Sequence, residues 1–220
     1  MGTITVARLD NLFWLGRYIE RVYQSIRLYM LGYDKMIDAD EKYYVTICDT
    51  LGIPDTYGSK EAFIRSFAFN EEDTASIAAN ITRAFDNAMV MRDEISSNAL
   101  SYVHLIMAEL RRAAASDSPM MNMQRILDYI LAFWGSLDDE VDDEAIRNAV
   151  KAGKRIERLD LFVRFRKPQP ELVREANRLL HRIGTTSLKY NRSALMHVAA
   201  MVEEDPVNYE ELLPMIWKIV

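Results

Sequence analysis

A single cysteine, Cys48, stands in a chain of 220 residues, so no internal disulfide can form and nothing points to an oxidising compartment. The expected role of that thiol is a small buried apolar group, not a nucleophile. Glycine (8) and proline (6) are sparse, and no segment alternates as a half-buried strand does, so a sheet is not expected. No stretch approaches the roughly 20 uninterrupted apolar residues of a membrane span. Met1 to Leu12 has no long apolar core before its first charges, so no signal peptide is expected and the protein reads as cytoplasmic. None of the three histidines, His104, His181 and His197, follows a Glu by three residues, which removes the di-iron bundle signature. A glycine-rich phosphate loop and a Gly-x-Ser-x-Gly elbow are both missing. No metal site and no cofactor are therefore expected, and if ATP is used a partner binds it.

What the chain does have is half apolar residues and 27% charged ones, the mix of a folded protein with a sizeable core. Ala, Leu, Met, Arg and Glu, all good helix formers, dominate the long segments. The periodicity predicts a first helix capped by Thr3 or Thr5 and running to about Ile37. Short helices follow over Tyr43–Leu51 and Lys60–Phe69. A helix with an acidic start at Asn70–Thr74 is expected to run to about Ile95, with Ile77, Ile81, Ala84, Ala88, Met91 and Ile95 as its stripe. Further helices are expected to Ala115 after a break at Ser96–Asn98, over Met121–Leu137 after a loop at Ser116–Pro119, and over Glu144–Phe165. Three more run from Pro170 to Ile183, from Ser193 to Glu203, and from Tyr209 to Ile219 with a kink or break at Pro214. Asp138–Glu144, with six acids in seven residues, reads as a solvated loop leading into the next helix. The fold expected is all-α, a single-domain helical bundle over residues 1–220.

Two of these helices repeat each other without gaps at an offset of 137. Asn11 matches Asn148, Phe13 matches Val150, Gly16 matches Gly153, Arg17 matches Lys154, and Glu20-Arg21 matches Glu157-Arg158. At about 100° per residue, Leu9, Phe13, Gly16, Glu20 and Arg27 project within about 40° of one direction, as do Ile146, Val150, Gly153, Glu157 and Arg164. Each Glu thus lies on an apolar stripe, one turn beyond a glycine at which another helix can approach closely. A carboxylate there is partly desolvated and needs a partner. Two readings follow. One is a buried Glu-Arg network that sets helix register. The other is a cleft in which Glu20 and Glu157 act as acid and base on an anionic substrate held by Arg17, Arg21 and Arg158.

The segments Arg8-Leu-Asp-Asn-Leu-Phe-Trp-Leu-Gly-Arg-Tyr-Ile-Glu-Arg21, Ala84-Phe-Asp-Asn-Ala-Met-Val-Met-Arg-Asp-Glu-Ile-Ser96 and Gly153-Lys-Arg-Ile-Glu-Arg-Leu-Asp160 resemble the alpha-E family, a bacterial all-helical domain named for its Glu-Arg motif. The resemblance adds Asn87 and Arg92 of the middle segment to the candidate residues Asn11, Gly16, Arg17, Glu20, Arg21, Gly153, Lys154, Glu157 and Arg158. Phe85 and Met89 stand where the family usually has Arg, and Arg155 where it has Tyr. The resemblance implies a partner, an ATP-grasp ligase-like protein, and a non-catalytic accessory part in forming or processing an amide- or peptide-linked product.

Charge is unevenly spread. From Arg147 to Arg192 there are 13 Lys and Arg against Glu157, Asp160, Glu171 and Glu175, while the whole chain carries −6. That segment fits an acidic peptide, a phosphorylated carrier or the acidic half of a second copy in a homo-oligomer. Nucleic acid does not fit the negative net charge and the lack of a binding motif.

Overall fold

The structure is a computed structural model and describes residues 5–116 and 119–220; Thr3 and part of the expected Ser116–Pro119 loop lie outside the described residues. The described residues form helices and no strands. They divide into two compact units, one of residues Met1–Glu20 with Asp142–Val220, the other of Arg21–Val141. Helix α1 (Val6–Asp38) contributes to both, and Thr5 starts it by accepting from the backbone N–H groups of Arg8 and Leu9.

The second unit holds the rest of α1 with α2 (Tyr43–Leu51), α3 (Lys60–Phe69), α4 (Ile77–Val90), α5 (Ser97–Ala114) and α6 (Pro119–Glu140). Helix α5 packs on α6 and α4, and α3 on α4. Tyr29, Tyr44, Phe63 and Phe67 form an aromatic core in which the Phe63 and Phe67 rings stack at 5.0 Å. Cys48 is fully buried, and burial pushes its thiol up to about 11, so it packs as an apolar group.

Helices α4 and α6 have limits that differ from the sequence reading. Asn70–Thr74 does not open α4. Asn70 and Asp73 side chains bind the backbone N–H groups of Glu72 and Ala75, each at 3.0 Å, and hold the segment in turns. Ser76 then caps α4 by accepting from Ala79 N–H at 2.9 Å. Short polar side chains compete with the helix for backbone groups, and here they win. The same helix stops at Val90, not Ile95, yet Met91 and Ile95 stay buried, so apolar periodicity outlasts the helix. Helix α6, by contrast, continues through Asp138–Glu140. Buried Leu137 and Val141 anchor its end, and Asn98 donates to Glu140 Oε1 at 2.8 Å.

The first unit joins the start of α1 to α7 (Glu144–Arg164), α8 (Gln169–Ile183), α9 (Arg192–Met201) and α10 (Tyr209–Trp217). Asp143 caps α7 by accepting from Ala145 and Ile146 N–H, so the acidic run supplies a cap as well as a helix end. Helix α7 packs against α8 and α10, and α9 against α8 and α10. Helix α10 runs through Pro214 without a break, and Leu212 and Ile216 stay buried. No helix among the described residues is long and apolar enough to cross a membrane.

Candidate functional site

The two repeat helices cross where each has its glycine. A Cβ on Gly16 would overlap the carbonyl oxygen of Val150 and lie 2.8 Å from its carbonyl carbon. A Cβ on Gly153 would overlap the carbonyl oxygen of Phe13 and lie 2.9 Å from its carbon. Phe13 and Val150 are themselves equivalent positions of the repeat, so the crossing has a local two-fold relation: each helix places its glycine on the carbonyl of the other. With no side chain between them the backbones touch, and each glycine Cα–H is aimed at a carbonyl, a weak hydrogen bond made twice.

One turn on, the glutamates pair across the crossing. Arg158 forks onto Glu20, with Nε donating to Oε1 at 2.6 Å and an Nη to Oε2 at 2.8 Å. Arg17 Nε donates to Glu157 Oε2 at 2.8 Å. Glu20 is 0% exposed and Glu157 2%. The guanidinium of Arg17 also lies 4.7 Å from the Trp14 ring, which fixes it by cation–π contact. Proton transfer from either carboxylate to a substrate would first have to break an ion pair inside packed helices, at the desolvation cost that pairing offsets.

Lys154 occupies the position equivalent to Arg17. Burial pushes its ammonium down to about 7; Glu20 pulls the other way, while Arg158, Arg155 and Lys151 add to the lowering. The unfolded lysine holds its proton to about 10.5, so between the two values the unfolded chain binds more protons and stability rises with pH. Lys154→Met is expected to flatten that rise in thermal melts taken from about pH 7 to about pH 8, below the range in which the unfolded Cys48 thiol and the tyrosines lose their protons. A slope equal to the parent's would show that the amine is not desolvated.

Two further buried carboxylates, not singled out from the sequence, extend the network. Glu175 on α8 is 1% exposed and accepts from Arg155 at 2.8 Å and Arg178 at 2.7 Å. Burial alone would raise its carboxyl, but the attraction of Arg155, Arg158 and Arg178 wins and holds it below the usual range. Asp160 is raised by burial despite Arg164, which binds it at 3.1 Å, and Trp217, whose indole N–H donates at 3.4 Å. The signal in the sequence was the Asp160/Arg164 and Glu175/Arg178 spacing on one helix face.

The other candidates are placed as follows. Asn11 is half-buried on α1; its counterpart Asn148 is buried, accepts from Arg182 and donates to Thr185 Oγ1, both at 2.8 Å. Arg21 belongs to the second unit, where it donates to Asn80 Oδ1 at 3.5 Å. Asn87 and Arg92 belong to that unit too. Asn87 donates to its own helix at Arg83 O, and Arg92 is exposed beside Asp93. Arg27, expected on the Glu20 direction, belongs to the second unit and is exposed, with its guanidinium 5.8 Å from the Tyr23 ring.

The sequence model of one family, described as a predicted alpha-helical domain with a conserved ER motif, matches residues 7–200. The chain belongs to the Alpha-E family. Its two ER pairs are Glu20-Arg21 and Glu157-Arg158, and in this Alpha-E chain both glutamates are buried ion-pair partners. No curated protein and no solved structure matches the chain.

Proposed function

We propose that this Alpha-E chain is a non-catalytic helical partner of an ATP-grasp ligase-like enzyme, in a bacterial system that forms or processes an amide- or peptide-linked product. The observation that supports it is the use made of the family's motif. Gly16, Gly153, Glu20 and Glu157 are taken up in joining two helices, through backbone contact and reciprocal ion pairs. Residues committed to architecture are poor candidates for turnover, which moves the search for function to the outer helix faces. The family resemblance supplies the partner.

Co-expression with the ligase-like protein encoded beside it, followed by affinity purification, tests the reading. The two proteins are expected to co-purify, and the ligase's turnover to change when its helical partner is added. Failure of both would end the proposal.

A further inference from the structure

The rows of basic residues on α7 and α8 answer none of the needs of the crossing. On α7, Arg147, Lys151 and Arg155 follow one another at four-residue spacing; on α8, Arg174, Arg178 and Arg182 do the same. At 1.5 Å rise each row carries a cation about every 6 Å. The two rows lie side by side, because Arg155 of α7 reaches Glu175 of α8 and Arg182 of α8 reaches Asn148 of α7. The acids facing them are Glu175, which is buried, Glu171, 3.8 Å from Arg174, and Glu144, 3.3 Å from Asn148. Among the acids of α7 and α8 themselves, three carboxylates thus stand beside six cations.

From this arrangement we propose that the α7–α8 face is a docking surface for a carboxylate-rich polypeptide segment. The excess charge is one argument; the way the charges are held is another. Glu175 orients Arg155 and Arg178, and Asn148 orients Arg182, so these forks are fixed before any ligand arrives and little side-chain freedom is lost on binding. Arg174 and Arg178 keep about half of their side-chain surface exposed, at 52% and 46%. Alternate side chains of an extended peptide recur every 6.6–6.8 Å or so, close to the cation spacing, so successive carboxylates meet successive guanidinium groups. Neither row includes an aromatic ring on which a base could stack, which favours polypeptide over single-stranded nucleic acid. Nor does either row include a large apolar side chain to enter a lipid surface.

The test uses the whole chain and a fluorescein-labelled hexaglutamate, read by fluorescence anisotropy. Binding is expected to weaken at least tenfold as salt rises from about 50 to about 200 mM. The double variant Lys151→Glu/Arg174→Glu leaves the short bonds of Arg155 and Arg178 to Glu175 in place while removing Arg174 from Glu171 and Glu175, and is expected to lose at least tenfold in affinity while keeping the parent's far-UV circular dichroism. Arg178→Gln is a second, milder variant for the case in which that one does not fold, and is expected to lose affinity by a smaller factor. Arg65→Glu/Arg111→Glu, on exposed positions of α3 and α5, is expected to bind as the parent does. Equal loss in that control would reduce the effect to overall charge and overturn the proposal. So would tighter binding of a six-nucleotide oligothymidylate or of anionic vesicles than of hexaglutamate. Salt-sensitive self-association, seen by light scattering without peptide and abolished by the same double variant, would assign the face to a second copy instead and overturn it as well.

Discussion

Gly16→Ala is expected to destabilise the unit built from α1 and α7 by at least about 3 kcal/mol, a large part of the 5–15 kcal/mol that holds a domain together. One methyl group is enough, because what it meets is the carbonyl of Val150, a backbone group inside a helix that no rotamer change can move. The helices must separate, and the Arg158–Glu20 and Arg17–Glu157 pairs one turn away must lengthen with them. Gly153→Ala is expected to behave alike, since its Cβ meets Phe13 in the same manner. Gly135 on α6 is the internal control. A Cβ there meets nothing within 4 Å, so Gly135→Ala removes only the helix penalty of glycine and is expected to stabilise by about 0.5–1 kcal/mol. Urea denaturation of the three variants separates these outcomes. If Gly16→Ala unfolds at the same midpoint as Gly135→Ala, the backbones do not touch at the crossing.

Glu20→Ala is expected to cost about 3–5 kcal/mol, because it leaves Arg158 charged and half-buried without the carboxylate its fork was built on. The loss belongs to the orphaned charge more than to the pair. Removing both ends, as Glu20→Met with Arg158→Leu, is therefore expected to recover most of it, since a packed apolar pair of similar volume avoids the desolvation of two ions. A thermodynamic cycle over the two single variants and the double one measures this. Near-additive losses would mean that the two side chains do not act as a pair. Glu157→Ala is expected to cost less, because its partner Arg17 also rests on the Trp14 ring.

The fold was readable where apolar spacing and stop residues agree. Tyr43–Leu51 and the helix ending at Ile183 are marked by Gly52 and Gly184, and these limits, with those of Lys60–Phe69, recur in the structure. Reading failed where polar side chains rewrite the backbone, as at Asn70 and Asp73, and where buried anchors such as Val141 carry a helix into an acidic run that looks like a loop. The repeat revealed that Gly16 and Glu20 face a close neighbour. That the neighbour is the other copy of the repeat was implied by the cleft reading alone, and the sequence could not decide it, because equivalence in sequence says nothing about contact. Glu175 and Asp160 escaped notice because a lone acid on an amphipathic helix looks like surface until a second helix covers it.

The crossing joins residues that a ribosome makes far apart in time. Phe13 to Glu20 emerge early, but the surface they pack against, Val150 to Arg158, comes only after all of Arg21–Val141 has been synthesised. Until then the apolar stripe of Leu9, Leu12 and Phe13 has no partner from α7, and the intervening unit has time to form first from its own sequential helices. The Alpha-E motif is thus a late clasp. Loop closure over that span carries an entropy cost that grows only slowly with length, and the short Gly-to-carbonyl approach and the buried ion pairs are what the closing ends gain in return.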